Sequence, residues 1–211
     1  MNNSPNSFEC KNLTLKLGGK LLFQNFNFRF EGPGIIMIEG ENGTGKSSLL
    51  KACAGLIASP DASSTYSGYN INQVKPKEFS FLTTTSLGLL NNLTGREHIK
   101  LISSGLSVRS EVLAAKILEY QKIEIFNEVL DKQVSDYSQG MKQLLRLFLH
   151  LFFEPRLLFL DEPFLYLSPS LKKIVQNKIE AISLGSIVLI TDQQFTWSPA
   201  VKTDKIRLGL K

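Results

Sequence analysis

The sequence has little of what would organise it around covalent or metal cross-links. Only two cysteines, Cys10 and Cys53, occur in 211 residues, and their spacing matches neither a zinc site nor a redox pair, so both read as small core-filling residues in a reducing compartment. Long apolar runs are missing too. Apolar stretches such as residues 147–149 and 151–153 around His150, or residues 157–160, fall far short of the ~20 needed to cross a bilayer. The opening residues Met1, Asn2, Asn3, Ser4, Pro5, Asn6 and Ser7 lack the basic flank and apolar stretch of a secretory signal, so a cytosolic location is expected. With 8 prolines, 43% hydrophobic and 20% charged residues, the chain is neither a disordered tail nor a fibrous repeat. Charge of one sign is not concentrated: 24 basic against 19 acidic residues give +5, spread thinly apart from a loose basic tail of Lys202, Lys205, Arg207 and Lys211. That scatter is the pattern of a solvated surface.

What remains is a globule of one domain, since chains usually split only beyond roughly 250 residues. Phe26, Phe28 and Phe30 alternate with Asn27 and Arg29, the period of two of a strand with one buried face, and with residues 8–17 they predict a small antiparallel region. Ile35, Ile36, Met37 and Ile38 form a continuous apolar run of the kind found in a sheet covered on both faces. A glycine-rich turn and a helix over residues 47–57 follow. Residues 59–76 read as loop with one edge strand, and residues 79–82 as another strand. Leu101, Leu113, Ile117, Leu118, Ile125, Phe126 and Val129 recur at helical steps over about residues 93–132, which predicts an inserted helical subdomain. A helix over 139–153, strands at 157–160 and 187–190, and a helix between them near 170–182 complete an α/β order with a mainly parallel sheet.

The chemistry sits in three places. Gly40, Glu41, Asn42, Gly43, Thr44, Gly45, Lys46, Ser47 and Ser48 match the phosphate-binding pattern G-x-x-x-x-G-K-[ST] between a strand and a helix. Backbone N–H groups and a helix N-terminus would hold phosphate oxygens, Lys46 would reach the outer phosphates, and the Ser47 hydroxyl would ligate Mg²⁺. Second, the apolar strand at residues 157–160 ends in Asp161 and Glu162, carboxylates at the end of a strand where ligands of open α/β sheets bind. Asp161 is assigned to the metal and Glu162 to general-base catalysis. Third, Tyr137, Ser138, Gln139, Gly140 and Met141 open the helix that leads into that strand.

In the order of these three motifs the sequence resembles the ATP-binding subunits of ABC transporters, a P-loop NTPase fold, over nearly its whole length. The resemblance implies a core at about residues 1–85 and 139–211 and a helical subdomain at about 86–138. It implies ATP and Mg²⁺ as cofactors, ATP hydrolysis coupled to transport, and a separate integral membrane permease as partner. Ser138, Gln139 and Gly140 would point at the nucleotide of a second subunit in a head-to-tail dimer. The chain would lie peripherally on the cytoplasmic side of the membrane, with Arg96, Glu97 and His98 exposed for docking, and nucleic acid is not an expected ligand. Residues 37–40, 161–164, 191–193 and 205–208 look most like the ATPase of the heme exporter of cytochrome c maturation. Residues 93–98 and 137–142 also look like ATPases of drug, lipid or polysaccharide exporters.

Four positions depart from the family pattern. Leu17 stands near the adenine-stacking aromatic, with Phe23 as a stand-in. Thr83, Thr84, Thr85 and Ser86 occupy the place of a metal-sensing glutamine, and Ser168 that of an aspartate. Asp192 replaces a histidine at the γ-phosphate, with Gln193 or Gln194 as substitutes if the backbone shifts by a residue. A carboxylate there repels phosphate, so slow hydrolysis, or an ATP-gated module with little hydrolysis, is the competing expectation.

Overall fold

The computed structural model describes residues 6–59, 61–74, 79–82, 88–192 and 197–209. In chain order the elements are β1 (Ser7–Leu17), β2 (Lys20–Glu31), β3 (Gly34–Gly40), α1 (Lys46–Cys53), β4 (Ser63–Tyr66), β5 (Tyr69–Asn70) and β6 (Phe79–Leu82). They continue with α2 (Gly95–Gly105), α3 (Ser110–Tyr120), α4 (Glu124–Asp131), α5 (Gln139–Leu151), β7 (Leu157–Asp161), α6 (Pro169–Ser183), β8 (Ile187–Thr191) and β9 (Thr203–Leu208). A four-stranded sheet runs β2-β1-β4-β5, antiparallel throughout, and a five-stranded sheet runs β6-β7-β8-β3-β9, parallel throughout.

The parallel strands explain their own composition. Ile36, Ile38, Leu157, Phe159, Ile187 and Leu189 pack with α1 and the antiparallel sheet, while Ile35, Met37, Leu158, Leu160, Val188 and Ile190 pack with α5, α6 and the helical insertion. Both faces are covered, so polar alternation disappears and the strands read as unbroken apolar runs. In β1 the buried set moves from Phe8 and Cys10 to Leu13 and Leu15. An even-to-odd change of face requires one extra residue, which the register shift between Cys10 and Leu13 supplies, with Asn12 in the left-handed region at φ 54°. Cys10 and Cys53 are free thiols buried in the same core.

Three expectations are corrected. The serine-rich stretch after α1 forms two strands, and β4 lies inside its sheet between β1 and β5, where Ser64 and Tyr66 are buried. Its loop-like composition hides it because the ladder with β1 satisfies its backbone. Two residues of the basic tail, Lys205 and Arg207, lie in a strand: β9 pairs with β3, and they reach Glu39 at 2.6 and 3.2 Å. Leu101 and Leu118, placed on buried stripes, are 56% and 64% exposed. The buried stripes run through Ile99 and Ser103 of α2 and through Tyr120 beside the expected Ile117 of α3.

The start of α2 is corrected as well. Thr94 and Glu97 form a reciprocal cap in which the Thr94 N–H donates to Glu97 Oε2 at 2.7 Å and the Glu97 N–H donates to Thr94 Oγ1. Hydrogen bonding to Thr94 accordingly holds the Glu97 carboxyl below its ordinary pKa. His98 is buried, accepting from the Leu90 N–H at 2.9 Å through Nε2 and facing Thr94 O through Nδ1. Of the residues expected to be exposed for docking, His98 therefore serves the interior, and Arg96 is paired with Asp131 at 2.8 Å.

Candidate functional site

Three parallel strands, β7, β8 and β3, lie side by side, and each delivers its last residues to the same edge. β3 ends at Gly40 and the chain turns through Glu41, Asn42, Gly43 and Thr44 into α1. The turn needs left-handed backbone at Gly43 (φ 81°) and at Gly45 (φ 97°), which caps α1. A Cβ on Gly45 would lie 3.3 Å from the ring of Phe23. Phe23 is buried beneath the loop and Leu17 is 42% exposed, so the ring offered as an adenine platform is committed to supporting the turn. The side chain of Lys46 is buried and folds over the loop, donating to the carbonyl oxygens of Gly40 at 2.7 Å and Glu41 at 3.0 Å. Thr44 Oγ1 also donates to Glu41 O, at 2.8 Å.

Asp161, at the end of β7, links β8 to the first turn of α1. Its Oδ1 accepts from the Ser47 hydroxyl at 2.8 Å and from the Thr191 hydroxyl at 2.8 Å, and the residue is 5% exposed. Ser47 and Asp161, 114 positions apart, thus form one hard-oxygen pair. That donor set fits Mg²⁺, which is held by one or two protein oxygens together with phosphates and water. Among the described residues no group of three His, Cys, Asp or Glu side chains forms a cage, and Mg²⁺ does not require one.

Glu162 follows in the left-handed region (φ 50°), half-buried, with its N–H donating to Thr191 Oγ1 at 2.9 Å. The sharp turn sends Asp161 and Glu162 in different directions, so two adjacent carboxylates take separate surroundings. Thr191 is the residue that sequence reasoning passed over as part of the site. Its signal is a single hydroxyl at the end of the apolar strand β8, in register with Asp161. Thr191→Val keeps the shape and removes the bridge; it is expected to lower stability by about 1–3 kcal/mol, because the Glu162 N–H loses its acceptor. Urea unfolding of the two proteins checks this, and a difference within error would show that the bridge contributes nothing.

Gln143 is a second unforeseen tie. It is fully buried in α5 and donates from Nε2 to Pro163 O at 2.9 Å, anchoring the segment after Glu162. At the start of the same helix Ser138 caps α5 by accepting from the Met141 N–H at 3.2 Å. A Cβ on Gly140 would lie 2.9 Å from Tyr166 O, so glycine there lets the helix end approach the loop that follows Glu162. Ser138 and Gln139 are exposed. The structure therefore brings together residues 40–47, Asp161, Glu162 and Thr191, while among the described residues no hydrogen bond joins residues 138–140 to residues 40–48. Ser168, at the expected aspartate position, caps α6 by accepting from the Leu171 N–H, ahead of Pro169 at the first helical position. Thr83, Thr84, Thr85, Ser86, Gln193 and Gln194 lie outside the described residues.

This geometry has known counterparts. The ABC transporter family model matches residues 23–165. The chain is 29% identical over 202 residues to the energy-coupling factor transporter ATP-binding protein EcfA of the Aster yellows witches'-broom phytoplasma, covering 93% of this chain and 73% of that protein. It is 29% identical over 193 residues to the cytochrome c biogenesis ATP-binding export protein CcmA of Nitrosospira multiformis, covering 89% and 92%. The solved structure of an ATP-binding subunit of an ABC transporter superposes with a TM-score of 0.77 at 23% identity, over 88% of this chain and 79% of that one.

Proposed function

Because this chain belongs to the ABC transporter family, as an ATP-binding subunit with transport-coupled ATPase chemistry, we propose that it energises export through a separate membrane permease. Residues 40–48 hold the phosphates. Ser47 and Asp161 hold Mg²⁺, which when bound neutralises phosphate charge. Glu162 takes the proton of the attacking water, and Thr191 ties the Asp161 carboxylate to the backbone N–H of Glu162. Ser138, Gln139 and Gly140 present the N-terminus of α5 to the nucleotide of a second subunit. The core of about residues 1–85 and 139–211 does the chemistry, and the subdomain of about 86–138 meets the permease on the cytoplasmic face of the membrane. Among the described residues no helix is long and apolar enough to cross a membrane. The observation that carries this reading is the Ser47–Asp161–Thr191–Glu162 chain of hydrogen bonds at the end of three parallel strands.

The cargo assigned by this proposal is heme for cytochrome c maturation. Its support is the correspondence with CcmA over 92% of that protein's length, against 73% for EcfA. Deleting the gene in its host and staining membrane proteins for covalent heme tests this: loss of c-type cytochromes is expected, and normal levels would overturn it. A permease that handles heme should copurify with the chain from membranes.

Pairing of subunits has its own test. Glu162→Gln with Mg²⁺ and ATP is expected to double in mass by light scattering, and adding Ser138→Arg is expected to return it to a monomer. Dimers that persist with arginine at that helix start would remove α5 from the interface.

A further inference from the structure

On the reading above, the carboxylate of Asp192 is out of place. It follows Thr191 at the end of β8, it is 8% exposed, and it lines a cavity of about 170 Å³ together with Glu162, Phe164, Tyr166 and Lys172. That is room for several waters, at about 30 Å³ each in the liquid. A terminal phosphate reached by the water that Glu162 activates would meet two carboxylates on this side.

The chain places a cation beside it. Lys172 Nζ stands 3.8 Å from Asp192 Oδ2, its side chain 17% exposed. The ammonium also lies 5.2 Å from the centre of the Phe164 ring, and that ring is held edge-on by Trp197 at 5.5 Å. Lys172 sits early in α6, its N–H donating to the O of the capping Ser168 at 2.8 Å. A helix start is the end that disfavours a cation, and removing an ammonium from water is unfavourable as well. Both effects act against a lysine at this position, and the nearby carboxylate and the ring face offset them.

We propose that Lys172 is a positioning residue that cancels the charge of Asp192, so that the Asp192–Lys172 pair presents a neutral wall to the terminal phosphate of ATP. Asp192 in turn fixes the ammonium on the phosphate side of Phe164. The inference rests on the assignment of this site to ATP, and it concerns the third phosphate alone.

Affinities for Mg²⁺-ATP and Mg²⁺-ADP, measured on the whole chain with a fluorescent nucleotide displaced by each, test it. Lys172→Met is expected to weaken ATP by roughly tenfold or more, because it removes a positive charge from beside Asp192 in a partly buried site facing the terminal phosphate, while ADP weakens by less than about threefold. Lys172→Arg restores ATP binding. The double variant Lys172→Met/Asp192→Asn, with both charges removed, returns ATP affinity to within about threefold of the parent. Equal loss of ATP and ADP, or a double variant as weak as Lys172→Met, would overturn the proposal. Failure of the parent itself to bind ATP, or Lys46→Ala binding as well as the parent, would instead overturn the assignment of the site.

Discussion

Glu162→Gln is expected to lower the turnover of ATP by about 10²- to 10⁴-fold, the range typical of removing a general base, and to leave ATP affinity within about threefold. The substitution is close to isosteric. It keeps the backbone at φ 50° and the N–H bond to Thr191, so the turn that separates Glu162 from Asp161 survives. It also leaves Ser47 and Asp161 in contact, so the oxygens assigned to Mg²⁺ are unchanged. Only the proton acceptor is lost. Single-turnover hydrolysis beside equilibrium ATP binding separates the two effects, and a variant retaining more than a tenth of the parent rate would remove Glu162 from its role. Asp161→Asn offers the contrast. It alters an acceptor shared by two hydroxyls, so its loss should fall on Mg²⁺-dependent affinity first.

The parts of this fold legible in the sequence are those where one local rule decides. The run at residues 35–38, the phosphate-loop pattern and the acidic end of β7 each combine a period with a punctuating residue, and they fix the parallel sheet and its functional edge. The elements missed are those whose stability comes from a distant partner. β4 is four residues of Ser, Thr and Tyr that become a strand because β1 presents a free edge. β9 carries charges that look like a solvated tail until Glu39 of β3 collects two of them. Expected at the surface, His98 has partners, Leu90 and Thr94, that become visible only once the chain has turned.

The site divides in the same way. Lys46, Ser47, Asp161 and Glu162 are named by pattern, whereas Thr191, Gln143 and Lys172 act through contacts 20 to 30 positions away or across a pocket. Charge alone did not mark Lys172, since lysine on an amphipathic helix is the ordinary case. Its 17% exposure and its place beside Asp192 set it apart.

Lys46→Ala is expected to weaken ATP by about 100-fold or more while changing the melting temperature of the protein only slightly. The ammonium makes two bonds to loop carbonyls, Gly40 O and Glu41 O, which phosphate oxygens would compete for. Charge-assisted bonds of this kind contribute about 1.5–3 kcal/mol each, and a 100-fold loss corresponds to about 2.7 kcal/mol, so losing one or two of them is sufficient. The effect on folding is smaller because the loop has other supports: Thr44 Oγ1 also bonds Glu41 O, and Phe23 packs under Gly45. The N-terminus of α1 and the backbone N–H groups remain in the variant, so residual binding should be sensitive to salt and should discriminate weakly between ATP and ADP. Lys46→Arg is expected not to rescue affinity. The planar guanidinium requires a fork-shaped opening, whereas the Lys46 side chain is 95% enclosed, by the converse of its 5% exposure, in a loop whose turns are set by Gly43 and Gly45. Calorimetric titration with ATP beside a thermal melt decides the matter: an arginine variant that binds as the parent does would show that charge alone, without the compact ammonium, is what the loop requires.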